Sequence, residues 1–145
     1  MRVHASCVVV GEAGVLLRGP SGSGKSRLAY DLLWEGARAG LYAALVGDDR
    51  VALQAHHGRV VARAVPEIAG LLEVRGLGLV STAPAPACVV RLVVDCLAEP
   101  GARMPEAGDT VAVISGTTLP RMAMRVEPGL AARILPRVVA GMSRP

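Results

Sequence analysis

The eight residues Gly19, Pro20, Ser21, Gly22, Ser23, Gly24, Lys25 and Ser26 constrain this chain more than any other stretch of it. They spell G-x-x-x-x-G-K-[ST], set between an aliphatic run at 15–17 and a segment from Lys25 whose Leu28, Ala29, Leu32 and Leu33 recur at helical spacing. A strand that enters such a loop and a helix that leaves it aim backbone N–H groups and the positive helix terminus at an anion. Glycine lets the backbone approach phosphate without a Cβ in the way. Lys25 is then placed for the β and γ phosphates of a nucleoside triphosphate, and the Ser26 hydroxyl for the Mg²⁺ shell. Gly19, Ser21, Gly22, Ser23, Gly24, Lys25 and Ser26 form the expected nucleotide-binding set, with ATP and Mg²⁺ as cofactors.

A triphosphate site needs a further anionic group to hold the metal or take a proton from the nucleophile. Asp48 and Asp49 follow an apolar stretch at 43–46 that reads as a buried strand, so both roles can be filled there. If both carboxylates enter the site, their mutual repulsion raises the pKa of one. Gly47 beside them leaves a plain polar turn open as an alternative. Glu73 and Arg75 stand beside Gly76 and Gly78, a composition suited to gripping phosphate or metal and equally to an ordinary turn.

The remaining pattern predicts an α/β fold in one domain spanning residues 1–145. A hairpin is expected from 8–10 and 15–17 around a glycine turn at 11–14, a helix over 25–38, and a second hairpin from 51–53 and 60–62 with His56 and His57 at its tip. Pro66 opens a short helix through Leu71, residues 72–74 lead into the glycine segment, and 88–97 form a central strand. An exposed loop at 98–109 precedes strands at 110–114 and 118–126, and a last helix starts at Pro128 and is cut short or kinked by Pro136.

Aromatic residues make up only 2% of a chain that is 52% hydrophobic, so Val, Leu, Ala and Ile must pack its interior. Cys7, Cys88 and Cys96 lack metal-ligand spacing and read as buried reduced thiols. With no apolar run long enough for a membrane span or a signal segment, the expected location is the cytoplasm. The net charge of +4 is scattered along the chain, which argues against nucleic acid as a partner.

Taken together, these residues resemble the catalytic domain of HPr kinase/phosphorylase, which phosphorylates a serine of the phosphocarrier HPr. Residues 4–14 resemble that family's opening histidine and hairpin, 19–26 its phosphate loop, 45–51 its Asp-Asp-Arg-Val segment, and 72–79 its signature E-[IV]-R-G-L-G-[IL]. Residues 119–130 are similar to its later P-x-x-x-x-V-x-P-G segment, and the length is similar to short alphaproteobacterial forms that consist of the C-terminal catalytic domain. The resemblance implies a phosphoenolpyruvate carboxykinase-like core, a mixed sheet with flanking helices. It implies Asp48 as general base with His4 close by, Asp49, Ser26 and Glu73 toward the metal, and Arg75 on the substrate side. An HPr-like phosphocarrier as partner and a homo-oligomer, commonly a hexamer, are also implied. Where the family has P-G-R-N this chain has Pro128, Gly129, Leu130 and Ala131, so the arginine associated with dephosphorylation is replaced by Leu130 and phosphorylase activity is not expected. Arg27 likewise stands where an acidic residue is usual. A P-loop kinase of small metabolites and a nucleotide-sensing module without transfer remain alternatives.

Overall fold

The computed structural model describes residues 1–99 and 106–141. Its strands are β1 (Arg2–Val3), β2 (Ala5–Val10), β3 (Ala13–Arg18), β4 (Ala43–Gly47), β5 (Val51–His56), β6 (Arg59–Arg63), β7 (Leu71–Val74), β8 (Gly78–Ser81), β9 (Ala87–Leu97), β10 (Val111–Ile114) and β11 (Thr117–Arg125). Among the described residues there are two α-helices, α1 (Lys25–Arg38) and α2 (Leu130–Gly141). The strands join in the order β1-β5-β6-β9-β3-β2-β4, with β11 paired to β9 and β10 to β11, while β7 and β8 form a separate hairpin.

Directions within the sheet decide where the loops go. β9 runs parallel to both β3 and β11. β2 is antiparallel to β3 and β4 is antiparallel to β2, so β4 points the same way as β3. The carboxyl ends of β4, β3, β9 and β11 therefore share one edge of the sheet, the edge at which open α/β sheets bind ligands.

Both faces of the sheet are covered. Val8, Val10, Val15 and Leu17 pack with Leu28 and Leu32 of α1 and Ile134 and Val138 of α2. Their alternates Cys7, Val9 and Leu16 turn to a second cluster with Val51, Leu53, Val60, Ile114 and Leu119. This two-sided burial explains why β2 and β3 read as unbroken apolar runs rather than alternating ones.

Several expectations are corrected. The first hairpin turns on Gly11 and Glu12 alone, because Ala13 already pairs with Val10 and Gly14 with Val9. Gly14 is glycine for packing: a Cβ there would lie 2.5 Å from the Cys88 sulfur and 2.6 Å from the Val89 carbonyl oxygen. The helix expected through Leu71 is a 3-10 turn over Pro66–Ile68, ended by Gly70 at φ 77°, and Leu71 opens β7. The glycine segment holds β8, which the pattern did not reveal. In the loop expected at 98–109, residues 100–105 lie outside the described residues, and Ala107–Thr110 form a 3-10 turn. α2 runs through Pro136, which faces solvent, so water can reach the carbonyl that loses its partner, while buried Ile134 and Val138 anchor both sides.

The thiols are free: Cys7 and Cys96 are buried and Cys88 is half-buried, with the Cys7 and Cys88 sulfurs 3.5 Å apart. The Cys88 hydrogen bond and burial hold the Cys7 pKa high, and burial pushes Cys96 up to about 11. Among the described residues no helix is long and apolar enough to cross a membrane.

Asp95 joins the three parallel strands near their carboxyl ends. It accepts two hydrogen bonds from Arg18 of β3, at 2.8 and 2.9 Å, and one from Arg121 of β11. Burial alone would raise its pKa, but the two guanidiniums outweigh burial and hold it below the ordinary carboxylate value. A depressed folded pKa means that this clasp contributes stability above about pH 4 and loses it as the pH falls through the lowered value. Asp95→Asn should cost about 1–3 kcal/mol at neutral pH in urea unfolding and flatten the acid limb of the stability profile. Gly36 gives a test of opposite sign to helix propensity. Alanine there would normally stabilise a helix by about 1 kcal/mol. A Cβ at Gly36 would instead lie 2.8 Å from Val10 Cγ1, so Gly36→Ala should lower the unfolding midpoint, by an amount equivalent to about 1–3 kcal/mol.

Candidate functional site

β3 ends at Arg18, and the chain turns at Gly19 against β9. A Cβ on Gly19, whose φ is 151°, would lie 2.5 Å from the Cys96 carbonyl oxygen, so the loop can sit this low on the sheet only without a side chain. Gly24, at φ 97°, precedes the first turn of α1 and supplies no side-chain cap to its N–H groups. Ser23 Oγ is buried and has no hydrogen-bond partner. Lys25 is 6% exposed, and its ammonium donates to the Gly19 carbonyl at 2.6 Å. Uncapped donors, an orphaned hydroxyl and a buried cation fit an anion in the loop.

Opposite the loop, Asp48 and Asp49 leave the end of β4. Asp48 Oδ1 accepts hydrogen bonds from Ser26 Oγ at 2.7 Å and Ser6 Oγ at 2.8 Å, and Oδ2 accepts from the Glu73 backbone N–H at 3.1 Å. Asp49 takes a left-handed conformation, φ 62°, with its N–H donating to Ser6 Oγ at 3.0 Å. Its carboxylate lies 3.1 Å from His4 Nδ1 and 3.4 Å from Lys25 Nζ. Burial pushes its pKa up, but the hydrogen bonds and charges of His4 and Lys25 prevail and leave it lowered. Asp49 is thus an anion at neutral pH.

The β7–β8 hairpin closes a third side. Leu72 and Val74 are buried and Glu73 and Arg75 alternate with them, so both polar residues face outward from the same side of the strand. Ser21, Gly22, Gly24, Lys25, Ser26, Asp48, Asp49, Glu73 and Arg75 line one cleft of about 580 Å³, joined by Arg27. His4 stands at its margin and pairs with Asp49 rather than Asp48. Leu130 is buried in the core beside Ile134.

Among the described residues no cluster of His, Cys, Asp and Glu is built to hold a metal by itself. Mg²⁺ in triphosphate sites is commonly held by one or two carboxylates together with phosphate oxygens, and Ser26, Asp49 and Glu73 are the groups here that fit that partial shell. Sequence reasoning passed over Ser6. Its signal was a lone hydroxyl in the otherwise apolar strand Ala5–Val10, fully buried here and bonded to both aspartates.

The family model for the HPr Serine kinase C-terminal domain matches residues 1–85. The HPr kinase/phosphorylase of Clostridium beijerinckii is 39% identical over 79 residues, which are 54% of this chain and 24% of that protein. That of Halalkalibacterium halodurans is 41% identical over 80 residues, again 54% and 24% of the two chains. The match therefore spans about a quarter of the length of these relatives. The solved structure of the Hpr(Ser) kinase/phosphatase from Coxiella burnetii shares the fold, with a TM-score of 0.75 at 20% identity over 99% of both chains. The mixed sheet with flanking helices expected from the sequence is the architecture observed. Residues 1–85 contain the phosphate loop, the aspartate pair and the hairpin that carries Glu73 and Arg75, the same segments that converge on the cleft, and the chain belongs to the HPr Serine kinase C-terminal domain family.

Proposed function

We propose that this domain is an ATP-dependent serine kinase of the cytoplasm that phosphorylates an HPr-like phosphocarrier, with Asp48 as general base. The observation that carries the reading is the Asp48 carboxylate, held by Ser6, Ser26 and the Glu73 N–H directly across from the phosphate loop. The activity for which the relatives are named supports the choice of acceptor.

The loop N–H groups and Lys25 hold and orient the phosphates, and Ser26, Asp49 and Glu73 would hold Mg²⁺. Bound Mg²⁺ supplies charge neutralisation at the β and γ phosphate oxygens. Asp48 takes the proton as the acceptor serine's O–H bond breaks and its oxygen bonds to the γ phosphorus; the bond from that phosphorus to the ADP oxygen breaks in line. Both hydroxyl donors now occupy Oδ1, so release of the Ser26 hydroxyl from it frees a lone pair for that proton while Ser6 and the Glu73 N–H keep the carboxylate in place. Arg75, which lines the cleft, would meet the incoming acceptor. The Leu130 side chain, which is buried, carries no cation for the reverse use of inorganic phosphate.

The test is transfer of labelled phosphate from ATP, with Mg²⁺, to the serine of a phosphocarrier from the same genome. Asp48→Asn should lower transfer by about 100-fold or more and leave ATP affinity within a few fold. Equal losses of binding and transfer would overturn the role of Asp48. ATP binding by the wild type without transfer to the carrier would overturn the kinase reading.

A further inference from the structure

We propose that a second cleft, between β11 and the first turns of α2, receives the base of the nucleotide whose phosphates the loop holds. The inference rests on the nucleotide reading above and adds where the rest of that ligand goes.

The sheet order sets the direction. From β3, which feeds the phosphate loop, β2 and β4 lie to one side and β9 and β11 to the other. Asp48 and Asp49 reach the loop from the β4 side, so the reacting end of the nucleotide is drawn that way. Its other end is left to the β9 and β11 side, where the parallel strands also finish at the ligand-binding edge.

The loop is in contact with that side. A Cβ on Gly24 would come within 2.9 Å of Val126, the residue that follows β11, so the start of α1 and the end of β11 pack directly together. Immediately beyond Val126 opens a cleft of about 390 Å³, within the size range of small-ligand pockets. Met122 and Met124, alternate residues on one face of β11, line it together with Leu130 and Ile134, one turn apart on α2. The Arg125–Glu127 ion pair, at 3.0 Å, and Arg133 form a polar rim. α2 packs against α1, β3 and β9, which leaves Met122 and Met124 half-buried rather than sealed into the core.

An apolar slot with two thioethers and a polar rim suits a flat heteroaromatic ring, since methionine sulfur makes favourable contacts with aromatic edges and the flexible side chain adapts to the ring. The phosphate cleft, by contrast, is lined mainly by charged, hydroxyl and glycine residues and holds no methionine.

Methyl-¹³C-methionine protein, titrated in the presence of Mg²⁺ with ATP and separately with inorganic tripolyphosphate, tests this by NMR. ATP should move the Met122 and Met124 methyl signals through the ring current of the base, and tripolyphosphate should not. In calorimetry the Met122→Ala/Met124→Ala variant should bind ATP about tenfold or more weakly while its affinity for tripolyphosphate stays within about twofold of wild type. Wild-type protein that binds ATP with both methyl signals unmoved would overturn the base site and leave the phosphate-loop reading standing. ATP bound no more tightly than tripolyphosphate would do the same. Wild-type protein that binds neither ligand would bring down the nucleotide reading itself, and this inference with it.

Discussion

One carboxylate holds the site together. Asp48 is bonded to Ser26 in the first turn of α1, to Ser6 in β2 and to the backbone of Glu73 in β7, groups that lie 22, 42 and 25 residues away in sequence. Hydrogen bonds to a charged group contribute about 1.5–3 kcal/mol each, so these contacts rank among the stronger polar ties in the fold. Their placement matters more than their sum. The phosphate loop's serine, the hairpin that carries Glu73 and Arg75, and the Asp48 carboxylate cannot shift independently of one another.

That carboxylate is delivered by topology. Because β4 runs in the same direction as β3, Asp48 and Asp49 emerge at the edge where the phosphate loop begins, with β2 lying between them as a spacer. The same rule sends the ends of β9 and β11 to this edge on the other side. The charged cleft lies on the β4 side of the loop, and the methionine-lined one opens beyond Val126, which packs against Gly24. Gly19 and Gly24 are what let the loop sit against Cys96 and Val126, since a side chain at either would collide with its neighbour.

Much of this was legible in the residues. The phosphate loop, the helix over Lys25–Arg38, the strand that ends before Asp48, and the hairpin with His56 and His57 at its tip all follow from local pattern, because each depends on neighbours a few positions away. The misreadings share a cause. Gly14 looked like a turn glycine and is a packing glycine, since the atoms that exclude its Cβ belong to β9. Pro136 looked like a helix stop and is tolerated because it faces water. β8 stayed hidden because the glycines that reverse the chain interrupt the apolar alternation.

The sequence by itself determined that a phosphate loop sits between a strand and a helix and that an acidic pair ends a nearby strand, for these are one-dimensional patterns with local physical causes. Which partners those groups meet was decided only by the tertiary structure. Ser6 reaching both aspartates, His4 pairing with Asp49, and the clasp of Asp95 by Arg18 and Arg121 each join residues far apart in the chain. Strand order and direction set such meetings, and both come from how the two faces of the sheet are buried, a property of the whole chain that no single segment records.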